Sequence, residues 1–372
     1  MDCAHIVYII IMVLDKNIVN LSNFKGRGAQ TFINNSLSKY QREDYWDGSY
    51  FDEEFFANDN STKWIPTEAK TILNKVNNPD MKQEWSMNPY QGCEHGCIYC
   101  YARVTHEYWG YNSGLDFEKK ILYKSNAVSL LEQRLKSKSW KGERISISGN
   151  TDCYQPAEQK LKITRQLLEV CLKYNQPVVI ITKNALVCRD IDLLKKMAVK
   201  GLVEVCISIT TLDEDLRRVL EPRTSSSKNK LKVIRTLSEH QIPVGVLLAP
   251  IIPGLNGDEI FSICKAVSQA GASFLSHTIL RLNSTTALLF ENWLHKTYPL
   301  KASRVLHQIA DTQGGNSGDT EVLNRRKNDG AIAENIHQQV RLAKNKYSLN
   351  RKKRLVTPKK LGIKQTPQLN LF

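Results

Sequence analysis

A chain of 372 residues has room for one large α/β domain with additions, or for two small domains. Its 41% hydrophobic and 24% charged residues are those of a soluble globular protein, and its nine cysteines, lacking paired spacing, argue against a disulfide framework and suit a reducing cytoplasm. The formal net charge of +15 points to an anionic partner, but residues 341–364 alone hold ten Lys or Arg and no acid, so the body of the chain is only mildly basic.

In chain order, the apolar run at 4–14 is too short to span a bilayer. With Asp2 before it and no positive leader it also makes a poor signal peptide. Residues 1–24 are expected to be a dispensable extension of a cytoplasmic protein with no membrane contact. Residues 25–85, polar with aromatics such as Tyr45, Trp46 and Trp64, read as an irregular leader packed on the main domain. From Ser86 onward, β-branched runs alternate with amphipathic helical stretches. Strands are predicted at 144–148, 177–182, 202–209, 243–248 and 273–280, plus a first strand ending at a cysteine loop. Leu161, Leu168 and Leu172 fall at helical spacing, and Thr211-Leu212-Asp213-Glu214 reads as a capping box. Alternation of this kind predicts a parallel sheet with right-handed crossovers over 86–282. The pattern fits a partial barrel or a doubly wound sheet, and in both the chemistry belongs at the carboxyl ends of the strands. Helices at 285–296, 300–313 and 331–344 form an extension over 283–345, with a glycine-rich joint at 314–318. Residues 346–372 read as a basic, disordered tail.

The stretch the chain is organised around is Asn88-Pro89-Tyr90-Gln91-Gly92-Cys93-Glu94-His95-Gly96-Cys97-Ile98-Tyr99-Cys100-Tyr101. Cys93, Cys97 and Cys100 stand in a C-x3-C-x2-C spacing, and Gly92 and Gly96 let the backbone turn tightly beside the first two thiols. Three thiolates on one short loop suit a corner of an iron–sulfur cube. A [4Fe–4S] cluster ordinarily takes four cysteines, so one iron is left open, as in catalytic metal sites. The alternative is zinc, with His95 or a distant cysteine as fourth ligand, although no second cysteine pair is present.

This loop, NPYQGCEHGCIYCYAR, together with TDCYQPAE and EPRTSS, resembles the radical S-adenosylmethionine (SAM) superfamily, in a branch related to spore photoproduct lyase. The resemblance runs from about residue 25 to residue 330. It implies a partial (β/α)6 TIM-like barrel and a lyase-like enzyme carrying a [4Fe–4S] cluster and SAM. An electron, from a donor such as flavodoxin or ferredoxin, would cleave SAM reductively to a 5′-deoxyadenosyl radical. The metal ligands are then Cys93, Cys97 and Cys100. The strand end at Asn150, Thr151 and Asp152 matches the position that holds the SAM amino group in the resembling enzymes. Lys183, directly after the third strand, is expected to meet the SAM carboxylate as a point charge, and Ser208 to contact the methionine moiety. Tyr99 is expected to offer its backbone and ring to adenine, as is the loop at 249–256. Arg223 has two readings, a bidentate contact to a SAM carboxylate or substrate phosphate and a surface ion pair with Glu221.

One departure matters. Spore photoproduct lyase has a hydrogen-donating cysteine on its second strand, where Gly149 stands here, so its substrate chemistry does not carry over. Cys153, four residues on, is a candidate redox-active residue, with a plain cysteine at the barrel mouth as the simpler reading. The terminus Gln368-Leu369-Asn370-Leu371-Phe372 resembles the peptide by which bacterial repair and replication proteins dock on the polymerase sliding clamp. Leu371 and Phe372 would fill an apolar pocket, and Gln368 would bond at its edge. These features suggest DNA lesion repair or nucleic-acid modification. The other readings are a radical modifier of a protein or small molecule, and a metal-bearing nucleic-acid-binding protein without turnover.

Overall fold

The computed structural model describes residues 18–20, 26–29, 31–33, 61–76, 85–282, 284–312, 330–351 and 355. The apolar run at 4–14, the aromatics at 45–56, the joint at 314–318 and the clamp-like terminus lie outside the described residues.

The main sheet contains β1 (Leu73–Lys75), β2 (Trp85–Met87), β3 (Ile145–Ile147), β4 (Val178–Thr182), β5 (Val203–Ile209), β6 (Val244–Ile251) and β7 (Leu275–Ile279). Its spatial order follows the chain, with β1 antiparallel to β2 and every later neighbour parallel. A doubly wound sheet reverses direction at a switch point; this one does not. Among the described residues β7 does not pair back onto the first strands, so the six parallel strands form an open, partial (β/α)6 barrel. Their burial is nearly continuous, as in Val203–Ile209, because helices cover one face and the barrel interior the other. β6 runs three residues past its predicted end. A register shift between Leu248 and Ile251 lets pairing resume at Ile251↔Ile279 across Pro250, which cannot donate to the ladder.

The outer layer is α1 (Ala127–Lys136), α2 (Ile163–Lys173), α3 (Ile191–Val199), α4 (Glu214–Leu220), α5 (Ser227–Glu239) and α6 (Ile260–Gln269). In α2 the buried side chains include Ile163, Leu167, Leu168 and Cys171, the apolar stripe that points a helix at a sheet. At α4 the N-cap is Asp213, which accepts from the Asp215 and Leu216 N–H groups. Thr211, the predicted capping residue, instead donates to Glu259 and accepts from the Asp213 N–H.

Three further helices follow β7, α7 (Ser284–Thr297), α8 (Ala302–Thr312) and α9 (Ala331–Lys346), and a 3-10 helix (Tyr101–Trp109) leaves the cysteine loop. Beyond α9 the chain returns along β7. Leu275 N–H donates to the Leu349 carbonyl and Arg351 N–H to the Ser273 carbonyl, with a bridge between Phe274 and Asn350. This strip covers an edge that would otherwise present unpaired backbone. Among the described residues no helix is long and apolar enough to cross a membrane.

The leader is less irregular than its composition suggests. Lys63–Thr67 runs parallel to Lys120–Lys124, which pairs antiparallel with Tyr90–Gln91, and Ile18–Asn20 pairs with Thr31–Ile33. The small sheet sets the entry to the cysteine loop, because Tyr90–Gln91 leads straight into Gly92.

Candidate active site

The cysteine loop leaves Tyr90–Gln91 and closes on itself through glycines in the left-handed region, at φ +77° for Gly92 and +67° for Gly96. A Cβ on Gly92 would lie 2.9 Å from the Lys120 carbonyl oxygen and 3.0 Å from that of Phe117. No other residue fits there. Cys93 N–H donates to the Phe117 carbonyl at 2.8 Å, and Ile98 N–H to that of Leu220 at 3.1 Å. Fully buried Gln155 grips the loop from the side, accepting the Glu94 N–H at 2.9 Å and donating to the Gly92 carbonyl at 3.2 Å. Sequence reasoning missed this role, for which the only signal was the presence of Gln155 in the TDCYQPAE run.

Cys93 and Cys97 are buried, Cys100 is half-buried, and none of the three is in a disulfide. Burial raises all three thiol pKa values, most strongly that of Cys93. A bound metal reverses this, because a coordinating thiol is deprotonated outright. An iron–sulfur cube bonds each thiolate to a different iron, so the sulfurs need not converge on one point. Among the described residues no three His, Cys, Asp or Glu side chains do so. His95, the proposed fourth zinc ligand, is committed elsewhere: Nδ1 lies 3.3 Å from Asp152 and Nε2 3.1 Å from the Asn184 amide. The donor set, three free thiols on a glycine-cornered loop, fits a cluster.

The strand ends bring the other predicted residues to the same mouth, with partners that change several expected roles. Asp152 lies beside the loop, but its oxygens accept from Tyr154 N–H (2.8 Å), Thr182 Oγ1 (2.8 Å) and Lys183 N–H (2.7 Å) and face His95. A carboxylate has about four acceptor positions, so Asp152 is a clip between loops rather than a free acceptor for an ammonium. Burial opposes its charge, and His95 and the backbone donors still hold its pKa below the usual carboxylate value. Thr151 donates to the Tyr90 carbonyl at 2.7 Å, a strut under the cysteine loop. Asn150 is half-buried, its amide 3.3 Å from Thr105 Oγ1.

Lys183 and Ser208, from different strand ends, meet at 2.9 Å. The Lys183 ammonium also reaches Thr210 (3.1 Å), the Ala249 carbonyl (3.2 Å) and Glu221 (2.8 Å). Glu221 is fully buried, and its second oxygen pairs with buried Lys230 at 3.0 Å. Burial opposes charge on all three groups, but Glu221 raises the Lys183 pKa, and the two lysines push Glu221 well below the carboxylate range. Lys230 stays below the ordinary lysine value, burial outweighing Glu221. The three N–H donors of the Lys183 ammonium thus already face four acceptors, and its charge is answered by Glu221 and, further off, by Asp152.

The Tyr99 hydroxyl is bonded to Glu221 and Thr210, so its ring anchors this network rather than standing open for adenine. Arg223 does not pair with Glu221. Its guanidinium faces Glu94 at 3.4 Å, and its backbone N–H donates to the His95 carbonyl at 3.2 Å. In the expected adenine-side loop, Asn256 ties the Pro250 and Thr210 carbonyls together. Cys153 departs most from expectation. It is fully buried in the core, burial pushes its thiol pKa far up, and it opens onto no mouth. At Gly149 a Cβ would lie 2.6 Å from Ser86 Oγ, so a side chain there would require Ser86 to move.

An open parallel barrel with a three-cysteine loop at the carboxyl ends of its strands defines a class of cluster-dependent enzymes. A family model described as the radical SAM superfamily matches residues 87–267. A protein of Mycobacterium tuberculosis, named only as uncharacterised, is 32% identical over 239 residues, covering 63% of this chain and 70% of the relative. One of Methanocaldococcus jannaschii, likewise uncharacterised, is 30% identical over 235 residues, covering 63% and 83%. Among solved structures, spore photoproduct lyase complexed with dinucleoside spore photoproduct aligns with a TM-score of 0.54 at 15% identity, over 76% of this chain and 79% of that one. The last likeness is one of fold. The chain belongs to the radical SAM superfamily, and membership brings a [4Fe–4S] cluster and SAM as cofactors.

Proposed function

We propose that this chain applies the radical chemistry of its superfamily to a nucleic acid, in lesion repair or base modification. When bound, the cluster supplies the electron that cleaves SAM reductively. Cys93, Cys97 and Cys100 hold it, and Gln155, Gly92 and Gly96 fix their loop. Lys183, kept charged by Glu221, meets the methionine carboxylate by exchanging one of its present acceptors, Ser208, Thr210 or the Ala249 carbonyl, for it. α7 lies beside the loop, Thr286 donating to the Cys100 carbonyl at 3.4 Å.

The observation that carries the substrate reading is a row of exposed rings along the 3-10 helix that leads away from the cysteine loop, beginning with Tyr101, whose hydroxyl is bonded to the Gly149 carbonyl. Tyr101, Tyr108 and Trp109 are 57%, 78% and 44% exposed on the helix that leaves Cys100. Exposed aromatics on a path leading away from a reaction centre suit stacking against bases. The excess of positive charge and the dinucleoside spore photoproduct bound by the solved lyase support the same reading. A cytoplasmic setting, an electron donor of the flavodoxin or ferredoxin kind, and docking on a sliding clamp through residues 368–372 complete the proposal.

The test is a comparison of nucleosides by mass from parent and deletion cells, with and without ultraviolet exposure. Accumulation of a modified or damaged nucleoside in the deletion, or loss of one, supports the reading. Identical nucleoside profiles under both conditions move the substrate to proteins or small molecules.

A further inference from the structure

The segment Arg27-Gly28-Ala29 has no part in the site described so far, yet its backbone lies against the cysteine loop. A Cβ built on Gly28 would fall 1.8 Å from the Gly96 carbonyl oxygen. One built on Gly96 would fall 2.8 Å from Glu118 Oε2 and 3.3 Å from the Gly28 nitrogen. Two glycines, far apart in the chain, let two backbones touch where no side chain has room.

Glu118 closes this contact. Its carboxylate accepts the Gly28 N–H at 3.0 Å and the Ala29 N–H at 2.9 Å, and pairs with Arg103 at 2.6 Å. Arg103 also donates to the Cys97 carbonyl at 3.0 Å, while Arg27 reaches back to the Glu118 carbonyl at 2.7 Å. The Arg103 and Glu118 side chains are fully buried. One charge-assisted network therefore runs from the arm, through Glu118 and Arg103, to the backbone of a cluster cysteine.

We propose that residues 26–29 are a clamp on the cysteine loop, with Glu118 as the positioning residue that locks it. The clamp holds the thiols in the spacing the cluster needs and shields the Gly96 side of the loop. This rests on the reading that the loop carries a cluster. Gly28→Ala drives a methyl group into the Gly96 carbonyl without altering charge. Glu118→Gln keeps the shape but leaves Arg103 without its counter-charge.

The test uses the full chain, reconstituted anaerobically with iron and sulfide, as parent, Gly28→Ala and Glu118→Gln. Bleaching of the cluster's visible absorbance is monitored after addition of a ferrous-iron chelator, and the reduced cluster is examined by EPR. Both variants are expected to lose iron at least about tenfold faster than the parent, the scale of effect for residues that orient metal ligands. A changed EPR line shape accompanies the loss, a readout that a general drop in stability would not move. Should a variant fail to fold, hydrogen exchange on the parent decides: the Gly28 and Ala29 amides are expected to exchange slowly, with and without iron. Parent-like iron loss and EPR spectra in both variants, or Gly28 and Ala29 amides exchanging as fast as exposed chain, overturn the clamp. A parent chain that takes up no iron overturns the cluster reading instead, and the exchange result still shows whether the arm is held.

Discussion

Glu221 carries two buried ammoniums, and the network around it is the point at which single substitutions have the largest effect. Removing one partner of a buried ion pair costs about 3–5 kcal/mol, because it strands the other charge. Glu221→Gln strands two lysines, so its melting temperature is expected to fall well below that of Lys230→Met, which leaves Lys183 and Glu221 paired. Equal melting temperatures would show that Glu221 does not organise the network. Cys153→Ala makes the opposite case. The thiol is sealed in the core, so stability is expected to drop by about 1 kcal/mol, with iron content and 5′-deoxyadenosine release unchanged. A lost activity in that variant would restore the redox role. The three cysteines were legible in the sequence because their spacing is local. Glu221 and Lys230 were not, because their meaning comes from Lys183, Thr210 and Tyr99 converging from other segments. The family resemblance made Asp152 look like a free acceptor; only the fold shows its oxygens already taken.

At the scale of elements, β7 depends on the short strip of chain beyond α9. A chain ending at Tyr347 loses the strip at 348–351 and bares the sheet edge, so light scattering is expected to show association that a chain ending at Leu355 does not. If both truncations stay equally monodisperse, the strip does not protect the edge. The same strand meets α9 through His277 and His337, whose ring nitrogens lie 2.7 Å apart. Burial, then His337 and Lys344, lowers the His277 pKa from 6.5 to about 4. Between those values the unfolded chain binds more protons than the native one, so this contribution to stability is complete above about pH 6.5 and is lost as pH falls toward 4. Denaturant titrations at pH 7 and pH 5 check this: His277→Gln is expected to lose less stability than the parent between the two. Equal losses would remove His277 as a cause. Five of the six parallel strands were legible because they lie in β-branched runs between helical patterns, whereas Trp85–Met87 has no β-branched residue and was placed only by the cysteine loop after it. Lys63–Thr67 and Leu73–Lys75 were hidden, the first by Pro66 and polar neighbours, the second by its brevity and exposed lysine.

For the whole molecule, the order of strands decides where chemistry happens, and charge decides what is drawn there. Arg341, Lys344 and Lys346 belong to α9 rather than to the tail, so the charge of the tail is best tested by cutting after Leu355. If nucleic acid is bound, that truncation removes Lys359, Lys360 and Lys364 and is expected to lower the salt slope of binding by up to about 3, at just under one per phosphate contact. An unchanged slope would place all binding on residues before 356. The central claim is that Cys93, Cys97 and Cys100 hold a cluster with one iron open to SAM. It is tested most directly by anaerobic purification with metal analysis, followed by reduction in the presence of SAM. A brown protein with about four irons per chain that releases 5′-deoxyadenosine is expected, with both properties lost when the three cysteines become alanine; stoichiometric zinc, or iron without 5′-deoxyadenosine, would show that the loop holds no such cluster.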